Sequence, residues 1–209
     1  EYICMKIAKE FELDVANVEI RKIKNLEIIV IERFDRLKSD NNMYFKRIPQ
    51  EDFVQALGKV PSDKYEINFK DCLTILNKTS SPAKNKQKFI KQVIFNYLIG
   101  NNDAHGKNFS IMTYLDDIKL TPAYDILSTE IYKDSDFSMK IGNAKNRFEI
   151  TEDDWKLFAQ DLDVSYKLIE NELKIQKEIL PKITSKIVDE LKFDIGYKIL
   201  TLVKNNCKS

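Results

Sequence analysis

Apolar positions repeat with helical spacing at both ends of the chain and with strand spacing near its start. The opening stretch "EYICMKIAKEF" (1–11) has apolar side chains at helical intervals and predicts an amphipathic helix. Residues 15–23, "VANVEIRKI", alternate apolar and polar side chains, and "IIVIERF" (28–34) is rich in β-branched residues. Because the intervening "KNLE" is suited to a turn, the two segments predict a β-hairpin.

Polar and basic residues fill positions 36–49, which predicts a loop, and helical patterns dominate the rest of the chain. The strongest helix prediction is Ser81–Gly100, with Ser81 as N-cap, Pro82 in the first turn, a glycine stop, and Phe95 and Tyr97 in the core. The fold class is therefore α+β and mainly α. Shorter helices are predicted at 51–58 and 69–78, strands at 109–115, 118–127 and 136–142, and further helices at 151–162, 165–180 and from Pro181 nearly to the end.

Composition narrows the class of protein. The 209 residues suffice for one domain or two small lobes, and 34 basic against 33 acidic side chains give no general argument for a nucleic-acid or anionic-membrane partner. Cys4, Cys72 and Cys207 are scattered, which indicates reduced thiols in a cytoplasmic protein. No apolar run approaches the ~18 residues of a membrane helix. Because the chain opens inside a helical pattern and without Met, we expect a piece of a longer protein.

A polar stretch, "GNNDAHGKNF" (100–109), lies between two apolar runs and contains the single histidine, His105. Its Asp103 and Asn108 are five residues apart, and Asp125 follows the next predicted hairpin. A loop aspartate, an asparagine five later and an aspartate in the next segment form the pattern of a protein-kinase catalytic centre. The hairpin would let Asn108 and Asp125 face each other.

Phosphoryl transfer explains these residue types. A carboxylate orients and deprotonates the attacking hydroxyl, and Mg²⁺ prefers hard oxygen ligands such as an amide and a second carboxylate. The spacing alone is a weak signal, because Asn/Asp-rich turns have the same composition. His105 could brace the loop, face solvent or contact phosphate, and Lys107 could neutralise phosphate or be solvated. No glycine-rich phosphate loop of either common type is present.

Four stretches together resemble the C-terminal part of the HipA-family toxins, which are bacterial serine/threonine kinases: "VIERFDR", "QEDFVQALG", "FNYLIGNNDAHGKNFSI" and "LTPAYDILST". The resemblance implies a protein-kinase-like fold, with a partial N-lobe of helix plus β-hairpin in residues 1–35 and a large helical C-lobe in 36–209. It also implies roles for seven residues. These are Asp103 as catalytic base, His105 and Lys107 in the catalytic loop, Asn108 and Asp125 as Mg²⁺ ligands, and Glu32 and Phe34 as the hinge that binds ATP.

The resemblance also implies parts and partners outside this chain. In the family, a phosphate-contacting loop, an ATP-binding lysine and an autophosphorylated serine lie upstream of the position that matches Glu1. The expected partners are ATP, a protein substrate that in the family's type members is an aminoacyl-tRNA synthetase, and a HipB-like antitoxin. DNA is expected only indirectly, through that DNA-binding antitoxin, and no membrane is expected.

Three function classes remain open from the sequence. The chain could be the catalytic half of a HipA-like kinase, or a degenerate binding module that keeps the lobe without the activity. Without the resemblance, a Mg²⁺-dependent phosphoesterase or a helical interaction domain would also fit. The presence of Asp103, Asn108 and Asp125 favours the first class, because a pseudokinase commonly lacks one of the three.

Overall fold

Helices form most of the molecule and small antiparallel sheets lie between them, as the α+β, mainly α prediction requires. The computed structural model describes residues 1–39, 43–133 and 136–208. None of the helices in these ranges combines the length and apolar character that a membrane span requires. The helices are α1 (Tyr2–Glu10), α2 (Phe53–Ala56), α3 (Phe69–Leu76), α4 (Pro82–Ile99), α5 (Glu152–Asp161), α6 (Tyr166–Leu191) and α7 (Asp194–Asn206). The strands are β1 (Val18–Ile23), β2 (Leu26–Ile31), β3 (Arg36–Lys38), β4 (Phe45–Arg47), β5 (Gln50–Asp52), β6 (Ser110–Tyr114), β7 (Asp117–Leu120), β8 (Asp136–Ile141) and β9 (Ala144–Asn146).

The N-terminal helix and hairpin are confirmed. The apolar face of α1 is buried and packs on α6 and β1. Strands β1 and β2 pair antiparallel, from Val18 opposite Ile31 to Ile23 opposite Leu26, which leaves a two-residue turn. One hydrophobic cluster contains buried side chains from α1 as well as from the later helices. The predicted lobe boundary between residues 35 and 36 stays a prediction.

The prediction of a loop over 36–49 is wrong. Strands β3 and β4 lie in this segment and pair antiparallel, with Arg36 opposite Arg47. Most of their side chains are exposed, so the segment has no buried apolar face. Backbone hydrogen bonding forms the pair without the apolar alternation by which sequence reveals a strand.

The helix predicted from Glu51 begins two residues later. Gln50–Asp52 is an edge strand of a sheet ordered β5-β6-β7, in which Asp52 lies opposite Ser110. The Asp52 carboxylate then caps α2 by accepting the Gln55 N–H at 2.9 Å. The β6–β7 hairpin and the strand β8 are confirmed, whereas β9 was not predicted and the strand expected over 118–127 ends at Leu120.

Helix α4 runs through the centre of the molecule, as predicted, with Phe95 and Tyr97 in the core. Ser81 stands at the N-cap position, but its hydroxyl makes no capping hydrogen bond. Gly100 ends the helix with a φ of +73°, a left-handed conformation that favours glycine. A Cβ at this position would lie 2.5 Å from the Leu202 side chain, so close packing also favours glycine.

Phenylalanine rings join α4 to the segments around the polar loop. The Phe89 ring lies 4.8 Å from that of Phe109 and 5.8 Å from that of Phe53, and the Phe69 ring lies 4.6 Å from that of Phe158. All five side chains are buried. This cluster anchors the end of the loop segment on α4, since Phe109 directly precedes β6.

The predicted helix break at Pro181 is wrong. Helix α6 continues through it, and the chain leaves the helix only at Lys192, whose φ is +55°. A proline inside a helix removes one hydrogen bond and costs about 3 kcal/mol. Buried side chains on both sides of it, including Leu180, Thr184 and Ile187, pack the helix against its neighbours, and this packing outweighs the local cost.

Candidate functional site

The polar stretch is a loop whose backbone is held by neighbouring segments. The Asn102 N–H donates to Thr129 Oγ1 at 3.0 Å, and the Ser138 N–H donates to the Asn102 carbonyl at 2.8 Å. Asn101 Nδ2 donates to Asn96 Oδ1 at 3.1 Å, inside the molecule. Two of the asparagines therefore brace the loop, which explains part of the polar chemistry between two buried segments.

Asp103 lies half-buried at the centre of this loop. Its Oδ1 accepts from the Tyr65 hydroxyl at 3.4 Å and from Ser138 Oγ at 3.3 Å. A strong hydroxyl–carboxylate bond is about 2.5–2.7 Å long, so both contacts are weak. The carboxylate therefore keeps most of its capacity to accept a proton from another hydroxyl.

Asn108 and Asp125 face each other, as predicted. Asn108 is buried, and its Nδ2 donates to Asp125 Oδ2 at 2.6 Å. Its Oδ1 accepts the His105 N–H at 3.0 Å, which fixes the amide orientation and leaves this oxygen a second lone pair. Asp125 is exposed and has a φ of +56°, a conformation that aspartate adopts more readily than most residues.

A hydrogen-bonded chain fixes the distance between these two segments. The Tyr124 hydroxyl donates to the Lys107 carbonyl at 2.7 Å, so the Ser110 hydroxyl, 2.6 Å away, must donate to Tyr124. Gln50 Nε2 in turn donates to Ser110 Oγ at 3.2 Å. Burial raises the pKa of Tyr124 to about 12, so the phenol stays protonated and keeps donating. Asp125, the next residue, is thereby held beside Asn108.

His105 is a neutral, buried ring. Burial lowers its pKa, the positive charge of Lys64 lowers it further, and the nearby Asp103 and Asp125 act in the opposite direction. The ring makes an edge-on contact with Tyr65 at 5.4 Å between centroids. A neutral ring in this position favours bracing of the loop over an ionic contact with phosphate.

Lys107 forms an ion pair. Its Nζ lies 2.8 Å from Asp52 Oδ2, the carboxylate that also caps α2. The lysine is partly buried, and the aspartate more deeply. The pair connects the candidate loop to the start of α2 and gives Lys107 a partner that the sequence did not indicate.

Lys64 and Tyr65 are site residues that sequence reasoning missed. The Lys64 Nζ lies 4.5 Å from the centre of the Tyr65 ring. The pKa of Lys64 is raised, first by its hydrogen bond with Tyr65 and further by the negative charges of Asp103 and Asp125. Both residues belong to a short 3₁₀ turn in a polar segment far upstream of the loop, and no local signal there pointed to the site.

The predicted hinge residues follow β2 directly. The Phe34 ring packs against that of Tyr124 with centroids 5.8 Å apart, so the predicted hinge segment contacts the residue that precedes Asp125. Glu32 is exposed; its N–H donates to the Asn17 carbonyl at 2.9 Å, and its carboxylate accepts from Asn17 Nδ2 at 2.8 Å. The predicted hinge segment is therefore held by Asn17 at Glu32 and by Tyr124 at Phe34.

Glu1, at the start of α1, also reaches this site. The pKa of its carboxyl is raised by partial desolvation and by the negative charge of Asp125. Sequence reasoning took Glu1 as part of an amphipathic helix and assigned it no role. Only the packing of α1 brings this carboxyl towards the segment that follows β7.

The oxygen donors of Asn108 and Asp125 fit Mg²⁺. In the described part of the chain, no three His, Cys, Asp or Glu side chains cluster in a way that could hold a metal ion. Mg²⁺ needs no such cluster, because it retains waters and phosphate oxygens and takes only one or two protein carboxylates. The free lone pair of Asn108 Oδ1 and the exposed Asp125 carboxylate match that requirement.

The chain is similar to known proteins over nearly its whole length. The family model of the HipA-like C-terminal domain matches residues 1–192. Y4mE of Sinorhizobium fredii, a protein with a provisional kinase name, is 40% identical over 81% of this chain and 42% of its own length. The serine/threonine-protein kinase toxin HipA of Shewanella oneidensis is 35% identical over 64% of this chain and 34% of its own length. The chain therefore spans less than half the length of these relatives.

Solved structures give the same result for the fold. The Shewanella oneidensis HipA structure, a complex with HipB and operator DNA, matches all of this chain and 54% of its own, with a TM-score of 0.91 and 26% identity. The Helicobacter pylori kinase CtkA matches with a TM-score of 0.50 and 15% identity over 83% of its chain, a likeness of fold alone. The fold is kinase-like.

Proposed function

Because the chain belongs to the HipA-like C-terminal domain family, we propose that it is the catalytic part of a serine/threonine protein kinase, which transfers the γ-phosphate of ATP to a protein serine. The observation that carries the proposal is the 2.6 Å contact between Asn108 and Asp125, formed beside the loop that bears Asp103. Two oxygen donors and a separate carboxylate are what in-line phosphoryl transfer requires of a protein.

Asp103 is proposed as the base. Its weakly bonded carboxylate accepts the proton of the substrate hydroxyl and orients the oxygen towards the phosphorus. Loss of that proton makes the oxygen nucleophilic as its bond to phosphorus forms and the bond to the ADP oxygen breaks. Ser138 and Tyr65 position the carboxylate without neutralising it.

Asn108 and Asp125 are proposed to hold Mg²⁺. The bound ion would neutralise the charge of the transferring phosphate, which is its usual contribution to this chemistry. The protein's part is to keep the Asn108 side-chain amide beside the Asp125 carboxylate, which it does through the Tyr124 hydroxyl and its bond to the Lys107 carbonyl. We propose Tyr124 as a positioning residue on this ground.

The remaining predicted residues receive supporting roles. Glu32 and Phe34 are proposed to present hinge backbone groups to adenine, and His105 and Lys107 to fix the catalytic loop. Glu1 is proposed to pair with the ATP-binding lysine of the family, as a helix glutamate does in protein kinases.

The cellular role is proposed from the relatives. The Shewanella HipA was solved with HipB and operator DNA, so we propose a HipB-like antitoxin as partner and DNA contact through that antitoxin. We propose a toxin–antitoxin role on the ground of the same relatives and a cytoplasmic location on the ground of the scattered cysteines, and an aminoacyl-tRNA synthetase is the proposed substrate by family resemblance.

Radiolabel transfer from ATP, with the whole gene product, tests the proposal. Asp103→Asn should lower the rate by about 10²–10⁴-fold because the amide cannot accept the hydroxyl proton. Asp125→Asn should be at least as severe, since it removes an anionic ligand from Mg²⁺. Asp117→Asn, in the β6–β7 hairpin, is the matched control and should retain activity.

Thermal melting separates catalysis from folding in the same variants. Asp103 makes only weak contacts, so Asp103→Asn should melt within a few degrees of the wild type. Full activity in Asp103→Asn would refute the assignment of the base. A collapsed melt would instead show that the carboxylate is a structural member of an Asn/Asp-rich turn.

A further inference from the structure

A cavity of 440 Å³ beside the hinge has three arginines in its wall. They are Arg33, Arg36 and Arg47, and Asp35 is the one acidic residue among the described residues that line it. Gln50, the first residue of β5, also lines the cavity. No role in the proposed phosphotransfer falls on any of the arginines.

Asp35 organises two of the arginines. It is buried, and its two carboxylate oxygens accept from Arg33 Nε at 2.9 Å and from the Arg33 terminal nitrogen at 2.7 Å. Arg36 bonds both the same carboxylate and the Asp35 carbonyl. The Arg36 side chain is only 25% exposed. The two guanidinium groups are therefore fixed in place before any ligand arrives, which reduces the entropy lost on binding.

Arg47 adds a charge that has no counter-charge among the residues that the structure describes. It lies directly opposite Arg36 in the β3–β4 register, so both side chains are on the same face of the hairpin. Like charges in such a pair are destabilising. Within the described ranges Arg47 forms no ion pair, and three guanidinium groups against one carboxylate leave two positive charges. A bound anion would balance this cross-strand pair of guanidinium groups, which line the cavity with Arg33.

We propose that this arginine pocket, formed by Arg33, Arg36 and Arg47 around Asp35, binds the phosphate group of a phosphorylated serine or threonine in a polypeptide. A phosphomonoester carries about two negative charges at pH 7, which matches the excess charge of the pocket. Guanidinium groups bind phosphate through paired N–H donors in fixed geometry.

A polypeptide fits the surroundings better than a nucleic acid does. Nucleic-acid binding relies on an extended basic track, whereas this chain has a formal net charge of only +1. The pocket is compact, and β3 and β4 form a two-stranded sheet in the described structure, whose outer edges can pair with an extended chain. Tyr44 and Phe45, 64% and 59% exposed on the same hairpin, offer apolar contacts to residues that flank the phosphate.

The pocket is also connected to the candidate catalytic segment. Gln50 in its wall donates to Ser110, which donates to Tyr124, which donates to the Lys107 carbonyl. A phosphorylated polypeptide held there would lie one short hydrogen-bonded chain from the loop that carries Asn108. Binding itself does not depend on phosphotransfer, so the two proposals can fail separately.

Fluorescence anisotropy with the 209-residue chain tests this inference. The probe is a labelled peptide library with one fixed phosphoserine and degenerate flanks, compared with the same library carrying serine. We expect the phosphoserine library to bind, and free inorganic phosphate to compete. Arg47→Gln should weaken binding about ten- to a hundredfold, the value of one lost charged hydrogen-bonding group.

Lys46→Gln is the matched control, because it removes one positive charge from the same strand on the opposite face, beside Tyr114. It should change the affinity by less than a factor of two or so, as expected for a screened surface charge. Equal binding of serine and phosphoserine libraries, or equal losses in the two variants, would overturn the inference. Displacement of the peptide by a single-stranded oligonucleotide at lower concentration than by phosphoserine would assign the pocket to nucleic acid instead. Melting curves of both variants establish that they are folded.

Discussion

At the scale of single residues, the site depends on which polar atoms are already occupied. Asn108 uses both ends of its amide, with Oδ1 on the His105 backbone and Nδ2 on Asp125. Lys107 is occupied by Asp52, whereas Asp103 makes only long contacts. The group left most available is therefore the carboxylate that the proposed chemistry needs as a base.

His105 should make the folding stability depend on pH. Its folded-state pKa lies below the unfolded value of about 6.5, so between these two pKa values the unfolded chain binds a proton that the folded chain does not. Stability is therefore complete above about pH 6.5 and declines as the pH falls through this window, by at most about 1.4 kcal/mol per pH unit for one proton. Urea unfolding at pH 7.5, 6.5 and 5.5 measures the decline.

The variant His105→Gln isolates this contribution, because His105 is the single histidine in the chain. Its stability should fall less on acidification than that of the wild type. The raised pKa values of Glu1 and Glu130 act in the opposite direction in both proteins and cancel in the difference. Identical pH profiles for the two proteins would show that the ring is not protected from protonation.

At the scale of elements, tertiary packing overrides local propensity. Helix α6 carries Pro181 in its interior and still runs from Tyr166 to Leu191, because it packs against α1, α4, α5 and α7. The turn that does end it has Lys192 in a left-handed conformation, a position where sequence gives no glycine or asparagine signal. Elements held by many neighbours can tolerate poor local sequence.

Replacing Pro181 should therefore stabilise the protein. Pro181→Ala restores a helical N–H and removes the ring clash, which together stabilise the folded state by about 3 kcal/mol. The greater flexibility of the unfolded chain offsets about 1 kcal/mol of this gain. The expected gain is about 1–2 kcal/mol, measured by urea or thermal unfolding. Pro82→Ala is the control; at the first turn of α4 the proline costs little, so this change should bring no gain. A loss of stability in Pro181→Ala would show that contacts of the ring outweigh the missing hydrogen bond.

At the scale of the whole molecule, the candidate site is built from distant parts of the chain. The segment around Asp125 contacts the polar loop. Three further parts of the chain approach these two segments: Glu1, the predicted hinge segment after β2, and the turn that bears Lys64. The proposed hinge residues and the proposed metal ligands are present together, but the sequence has no glycine-rich phosphate loop. The lysine near the carboxylates, Lys64, is on an exposed turn.

The 209-residue chain by itself should therefore bind ATP weakly. Adenine would contact the proposed hinge at Glu32 and Phe34, while most of the triphosphate would stay in contact with water. Calorimetry with ATP and Mg²⁺ should give a millimolar dissociation constant or no saturable heat. The same titration of Asp125→Asn serves as control for non-specific heat. Micromolar affinity of the unaltered chain would show that the described residues already form a complete nucleotide site.

Much of the site was determined by the sequence itself, because its signals are local. The spacing of Asp103 and Asn108, the hairpin before Asp125 and the glycine at position 100 are all readable within a few residues. Helices with an apolar face and a glycine stop are predictable for the same reason, since the burial of that face and the left-handed cap depend on neighbouring positions. Two of the four stretches that carry the family resemblance, "FNYLIGNNDAHGKNFSI" and "LTPAYDILST", contain Gly100 and the three site residues.

Tertiary structure alone decided the contacts between segments that are far apart in sequence. Lys64 and Tyr65 reach Asp103, and Lys107 reaches Asp52, because buried phenylalanines bring α2, α3 and α4 together. The β3–β4 hairpin formed without an apolar face, and α6 continued through its proline. In each case the stabilising free energy comes from backbone pairing or packing against distant residues, which a local pattern of side chains does not encode.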